Sequence, residues 1–428
     1  MFHVKGGLLI DPAAGIRGVR DILIKDGRVA AVAEHLETPD GAEVYDVSGK
    51  LVTPGLIDMH VHLREPGLEA KETISSGTRA AAMGGFTSVF CMPNTKPVID
   101  SLALVEAVKA IAARDGIVRV FPIGAITKES SGQELAEIGD MASAGVRAVS
   151  DDGKPVAKAE IMRLALEYTK MFDVLVISHC EEQSLAADGV MHFGPVSASL
   201  GLKGIPAAAE EVMVARDIIL AEAAGAEVHI AHVSTKGSVE LIRAAKQRGV
   251  RVSCEVTPHH LSLTDSDVEG YSTATKVNPP LRSLEHVAAL RLALADGTID
   301  CIATDHAPHT SEEKDVEYNY APFGLVGLET AVPLVMDLVE KKHLSIDRAI
   351  SALSESPARV LGLDSGMLTV GSSADLCVID PELELILSAK DLESKGKNSP
   401  FLGKKLRGFP VLTLVAGQVV MKDRKILR

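Results

Sequence analysis

The stretch GLIDMHVH (residues 55–62) decides how this chain is read. It is short and largely apolar, opens on a glycine, and closes on two histidines one residue apart, His60 and His62. A run of four to eight such residues between turn signals is how a strand buried on both faces reads, and such strands belong to parallel sheets. Seven further runs follow the same pattern: FTSVFCM (86–92), IVRVFPIG (117–124), VRAVSDD (146–152), DVLVISHC (173–180), AEVHIAHVS (226–234), VRVSCEV (250–256) and DCIATDH (300–306).

Helical periodicity fills the gaps. SGTRAAAMGG (76–85) and STKGSVELIRAAKQRG (234–249) both end in glycine, a common helix stop. In AAAEEVMVARDIILAEAAG (207–225) the pattern predicts a buried face of Val212, Ala215, Ile218 and Ile219, with Gly225 as the stop. Eight strands alternating with helices predict an α/β fold, a (β/α)8 TIM barrel. The competing architecture, a doubly wound open sheet, lacks support because no GxGxxG turn follows the first strand.

Both ends differ from the middle. Residues 1–53 alternate with period two, as in DILIKDGRVAAV (21–32) with its Asp26–Gly27 turn, and read as hairpins. Residues 366–428 do the same in GMLTVGSSADLCVID and FPVLTLVAGQVVMKDRKIL. The expected division is therefore a small β-sandwich built from 1–53 and 366–428, with the barrel, 54–365, inserted between them.

Composition narrows the function classes. Hydrophobic residues make up 46% of 428, aromatics only 3%, and tryptophan is absent, so the core is aliphatic. A formal net charge of −14 without a dense basic run argues against nucleic acid and anionic membranes as partners. A local cationic pocket can still receive an anionic substrate. The start, MFHVKGGLLID, does not read as a signal peptide, and no run reaches the roughly 20 apolar residues a membrane span needs. Cys91, Cys180, Cys254, Cys301 and Cys377 are odd in number and lie in apolar runs. They read as reduced, buried thiols in a reducing compartment, the cytoplasm.

The strand ends carry the chemistry. Strands of a barrel run one way, so their carboxyl ends share one rim. His60 and His62 point to one face of the first strand. Asp151–Asp152 end the fourth, His179 the fifth, His232 the sixth and Asp305 the eighth. Four histidines with two or more aspartates exceed the needs of one tetrahedral ion with an open position. They suit two ions roughly 3.5–4 Å apart, and imidazole favours zinc over magnesium or calcium.

Seven segments then reveal a resemblance: PGLIDMHVHLREPG (54–67), GGFTSVFCMPNTKP (84–97), SDDGKP (150–155), SHCE (178–181), AHVS (231–234), CEVTPHH (254–260) and ATDHAPH (303–309). In order, over essentially the whole chain, they resemble the long-form, type I bacterial dihydroorotases of the amidohydrolase superfamily. The SADL…VID segment resembles that superfamily's sandwich domain. The resemblance implies reversible, zinc-dependent cyclisation of N-carbamoyl-L-aspartate to (S)-dihydroorotate in de novo pyrimidine (UMP) biosynthesis. It implies that His60, His62, Asp152 and Asp305 hold one zinc, and Asp152, His179 and His232 the other, with Asp152 and a hydroxide bridging. Asp305 would be the catalytic proton carrier. His62, Arg64, Asn94, Asn278, His309 and the backbone at Phe323–Gly324 would contact substrate. Many relatives bridge the metals with a carbamylated lysine. Here SDDG occupies that place and Lys154 lies past the glycine, which points to the type I branch.

Other polar residues carry weaker expectations. His259 and His260 read as hydrogen-bonding or packing groups behind the site, Asp151 and Glu181 as groups orienting ligands, and His229 and His306 as structural. HTSEEKDVEYNYAPFG (309–324) is polar and aperiodic, either a water-excluding lid or an inert surface loop. The partners implied are the small-molecule substrate, a second copy of the chain, and aspartate carbamoyltransferase. Two rival functions stay open here: a hydantoinase, dihydropyrimidinase or allantoinase, and a non-catalytic scaffold for aspartate carbamoyltransferase.

Overall fold

In the computed structural model, which describes residues 1–427, Asp26 and Gly27 both take positive φ, 50° and 77°. That is the conformation a two-residue type I′ turn requires, and glycine adopts it without strain. The turn joins β2 (Ile16–Lys25) to β3 (Arg28–Ala33), while β1 (Phe2–Asp11) pairs antiparallel with β2 on its other side. The short β4 (Glu43–Asp46) and β5 (Leu51–Pro54) both run parallel to β1.

One residue past β5 the chain enters the α/β region. β6 (Leu56–Val61), β7 (Phe86–Cys91) and β8 (Arg119–Pro122) form one parallel sheet. A second contains β9 (Ala148–Ser150), β10 (Leu175–Ser178), β13 (Val228–Ile230), β14 (Val252–Val256) and β15 (Cys301–Ile302). The two-residue strands β11 (Met191–His192) and β12 (Gly204–Ile205) pair with each other on an excursion after β10.

Single bridges join the two sheets at both seams: Gly124 with Val149, and Val61 with His306. The eight strands thus close into a ring. At the second seam the buried Asp58 carboxylate does the work of missing ladder bonds, accepting the Thr304 N–H at 3.1 Å and the Thr304 hydroxyl at 2.5 Å. Burial pushes this carboxyl up to about 7. Aliphatic side chains, among them Ile57, Met59, Ile123, Ile177, Ala231 and Ala303, pack with Phe90 in one cluster. A larger cluster lies between the strands and the surrounding helices.

The chain then returns to the terminal sheet through β16 (Leu376–Ile386), β17 (Lys405–Val415), β18 (Gln418–Lys422) and β19 (Lys425–Ile426). β16 pairs antiparallel with β5, so both termini share one nine-stranded sheet. The sheet folds over a core that includes Val4, Leu9, Ile22, Val52, Leu376, Val378 and Leu414.

Helix Ala208–Ala224 corrects one expectation. Its buried face is Met213, Val214, Asp217, Ile218 and Ala221, whereas Val212 and Ile219 are exposed. The inward face carries two carboxylates, Glu210 and Asp217, so hydropathy misjudged its direction. Asp217 accepts the Ser178 hydroxyl at 2.6 Å, and Glu210 accepts the backbone N–H of Ser234 and Thr235 at 3.0 and 3.2 Å. These contacts hold the strand ends next to His179 and His232. All five cysteines are buried and unpaired. Among the described residues no helix is long and apolar enough to cross a membrane.

Candidate metal centre

The carboxyl ends of β6, β9, β10, β13 and β15 bring their polar side chains to one point. Asp152 sits in the middle. Its Oδ1 lies 3.4 Å from His60 Nε2, 3.6 Å from His179 Nδ1 and 3.7 Å from His232 Nε2, while Oδ2 lies 3.6 Å from His62 Nε2. Asp305 Oδ1 stands 3.5 Å from His60 Nε2 and 2.9 Å from His62 Nε2. His60, Asp152 and His232 form one group able to share an ion, and His60, His62 and Asp305 another.

Five of these six contacts, at 3.4–3.7 Å, fit metal ligation better than hydrogen bonding, whereas His62 Nε2–Asp305 Oδ1 and His179 Nδ1–His232 Nε2, both 2.9 Å apart, stand at hydrogen-bond distance. Donors about 2.0–2.1 Å from a tetrahedral zinc stand about 3.4 Å from one another, and most of these contacts cluster there. His60 Nε2 is fully buried yet has no hydrogen-bond partner among the described residues. A buried, unpartnered ring nitrogen facing two carboxylates is costly unless a cation lies between them. The donor set of imidazoles and carboxylates suits zinc or a similar borderline ion.

Behind these groups sit residues that aim them. Glu255, fully buried on β14, holds His60 Nδ1 at 2.6 Å and faces His229 Nε2 at 3.3 Å. Burial raises its carboxyl, but the facing histidines more than offset this and hold it at about 2. Sequence reading missed Glu255, because a lone glutamate inside an apolar strand has no local signature. Asn94 bonds His62 Nδ1 through its oxygen at 2.9 Å and donates to Asp152 Oδ2 at 3.2 Å. With Nδ1 so engaged, His62 turns Nε2 toward the centre. Asp151 does not face the centre; it accepts the N–H groups of Ile126 and Thr127 at 2.8 and 3.1 Å.

Three residues here carry left-handed backbones without being glycine: Arg64, His232 and Asp305, at φ 62°, 33° and 48°. Such conformations cost on the order of 1–3 kcal/mol each and persist where the surroundings over-determine them. Those at His232 and Asp305 fall inside the apolar runs 226–234 and 300–306, beyond the ends of β13 and β15. The chain leaves its ladder early to turn these side chains.

A cavity of about 200 Å³ opens beside the centre, lined by His62, Arg64, Asn94, Asp152, His179, His232, Asn278, Asp305, His309, Phe323 and Gly324. Every residue expected to bind metal or substrate therefore borders it except His60, which lies beneath. Arg64 is 9% exposed, with Nε donating to the Pro308 carbonyl at 3.2 Å. His309 Nε2 donates to the Phe323 carbonyl at 2.8 Å, and Asn278 donates to Glu181 at 2.9 Å. Burial, with Arg64, Lys314 and Lys71 nearby, pushes His309 down to about 3.

The remaining histidines are accounted for in part. His260 Nε2 bonds the Pro279 carbonyl at 2.9 Å and His306 faces Glu72 at 3.3 Å. His259 is buried and its Nε2 has no partner among the described residues. Lys154 is exposed beyond Gly153. The 309–324 segment is tied down rather than loose. Lys314 donates to the Thr273 and Pro322 carbonyls at 3.1 and 2.7 Å, and Lys276 to those of Tyr318 and Asn319 at 2.9 and 3.0 Å.

Residues 49–238 match a family model described as dihydro-orotase-like. A dihydroorotase from Pelotomaculum thermopropionicum is 61% identical over 424 residues, covering 99% of both chains. Another from Citrifermentans bemidjiense is 56% identical, covering 97% of this chain and 98% of its own length. Among solved structures, the L-hydantoinase (dihydropyrimidinase) of Arthrobacter aurescens superposes with a TM-score of 0.90 at 30% identity, covering 100% of this chain and 98% of that one.

Proposed function

The chain belongs to the dihydroorotase family, and from that premise we propose that it interconverts N-carbamoyl-L-aspartate and (S)-dihydroorotate, a step of pyrimidine biosynthesis. It is a cyclic amide hydrolase. The observation that carries the mechanism is Asp152 within 3.4–3.7 Å of four histidines at one rim.

His60, His62, Asp152 and Asp305 would hold one zinc, and Asp152, His179 and His232 a second, with Asp152 common to both. Bound there, the metals would supply Lewis acidity, lowering the pKa of water toward neutrality and polarising the ring carbonyl. Asp305 borders both the centre and the cavity. Its carboxylate takes a proton from the attacking water and passes it to the ring nitrogen as the C–N bond breaks. In cyclisation the same proton travels back, because microscopic reversibility requires the same carrier.

Arg64, Asn94 and His309 would receive the carboxylate that lies off the reacting centre, Arg64 through charge-assisted hydrogen bonds. His62 faces the same space. Asn278 and the backbone at Phe323–Gly324 would contact the ring edge. Five unpaired, buried thiols fit a cytoplasmic setting. Self-association and association with aspartate carbamoyltransferase are further proposals, inferred from family likeness alone.

The test combines metal analysis with a ring-opening assay on dihydroorotate, hydantoin and dihydrouracil. Turnover of dihydroorotate well above the other two, rising with bound zinc, is expected. Preference for hydantoin would move the chain to the rival hydrolases, and metal-replete protein without turnover would make it a scaffold. Arg64→Met is expected to raise KM for dihydroorotate about 100-fold, the loss of a charged hydrogen-bonding partner. An unchanged KM would remove Arg64 from the carboxylate site.

A further inference from the structure

Between β16 and β17 the chain leaves the terminal sheet and crosses to the catalytic cavity. Gly396 approaches Pro308 so closely that a β-carbon there would stand 2.6 Å from the proline Cβ. Two residues on, the Asn398 side chain is 8% exposed and fully engaged. Its Oδ1 accepts the His309 N–H at 3.1 Å, and its Nδ2 donates to the carbonyls of Ala307 and Gly324 at 3.2 and 3.0 Å. One amide thus binds both ends of the 309–324 excursion, at the two residues, His309 and Gly324, that face the cavity. The same segment has a second anchor. The Lys395 N–H bonds Glu72 at 3.1 Å, and Glu72 faces His306, the neighbour of Asp305.

We propose that Asn398, supplied by the C-terminal part of the chain outside the strand ring, is a positioning residue for the substrate carboxylate. Its three hydrogen bonds set His309 and Gly324 at a fixed spacing, and Gly396 lets the segment press on Pro308, whose carbonyl holds Arg64. The carboxylate-binding groups are thereby referenced to one rigid point. The inference rests on reading His309 and Gly324 as substrate contacts.

The test is a double-mutant cycle on the full, metal-loaded enzyme, with Asn398→Leu, His309→Ala and the pair. Asn398→Leu is expected to raise KM for dihydroorotate on the order of 10–100-fold, the effect of misplacing a binding group by about 1 Å. Metal content should be unchanged and kcat should hold within about threefold. In the His309→Ala background the same substitution should raise KM by clearly less than it does in the parent, since one of its two targets, His309, is gone while Gly324 remains. An unchanged KM in Asn398→Leu, a loss confined to kcat or metal, or full additivity in the pair would overturn the proposal. If His309→Ala alone leaves KM unchanged, the substrate-contact reading has failed instead, and this inference falls with it. Should Asn398→Leu not fold, Asn398→Asp, which keeps the acceptor for the His309 N–H but loses both donated bonds, carries the same expectations and the same refutations.

Discussion

Replacing Glu255 by glutamine should weaken metal binding about tenfold while leaving the fold intact. The carboxylate is fully buried, with Oε1 2.6 Å from His60 Nδ1 and 3.3 Å from the His232 N–H, and Oε2 3.3 Å from His229 Nε2. It orients His60 and, by its charge, strengthens that ring as a ligand. Glutamine keeps the volume and an acceptor oxygen but removes the charge. A hydrogen bond to a charged group contributes about 1.5–3 kcal/mol against about 1 for a neutral one, so roughly 1–1.5 kcal/mol of His60 orientation is lost. At about 1.4 kcal/mol per decade that is close to a factor of ten in affinity. The amide's NH2 can face His229, whose Nδ1 already has the Ser253 hydroxyl at 2.8 Å, so no buried group is orphaned. Glu255→Leu does orphan His60 Nδ1 and His229 Nε2, and should cost about 100-fold in affinity together with thermal stability. Competition with a chromophoric chelator measures the affinity, elemental analysis the stoichiometry, and a thermal scan the fold. If the glutamine variant binds metal as tightly as the parent while Asp152→Ala loses it, Glu255 merely packs, and the orienting role is wrong.

Other perturbations follow the same logic. Asp305→Asn should abolish measurable ring opening with little change in thermal midpoint, since the strand remains while the proton carrier, itself a proposed metal ligand, loses its charge; near-parental rates would refute its role. Asp152→Ala should lower bound metal as well as rate, and an unchanged metal-to-protein ratio would count against a shared ligand. Lys314 is buried, and burial pushes its ammonium down from 10.5 to about 7. The unfolded chain therefore binds an extra proton between those values, and stability falls as pH drops from 10.5 toward 7, by at most about 1.4 kcal/mol per pH unit. Lys314→Met should lack this slope, so parent and variant unfolding curves compared at pH 7, 8 and 9 should show the parent gaining relative to the variant. Parallel curves would refute the depressed amine.

Sequence alone determined the kind of fold, the rim and which histidines and aspartates gather there. The signals for these are local. An apolar run has a length and a composition, a His-x-His pair on a strand has one face, and Asp26–Gly27 has one turn geometry it suits best. Residues such as His179, His232 and Asp305 were legible because each ends its own apolar run. Only the tertiary structure decided what stands behind them. Glu255, Asp58, Glu210, Asp217 and Asn398 are polar residues turned inward, and no local pattern in the sequence marks what each of them holds. The inward face of helix Ala208–Ala224 was misread for this reason. Hydropathy assumes that burial goes with apolar character, whereas these groups are buried because donors from distant segments satisfy them: a histidine 195 residues away for Glu255, a threonine 246 away for Asp58. A one-dimensional pattern records the demand of a buried polar group for a partner but not the partner itself, and only the closed chain supplies it.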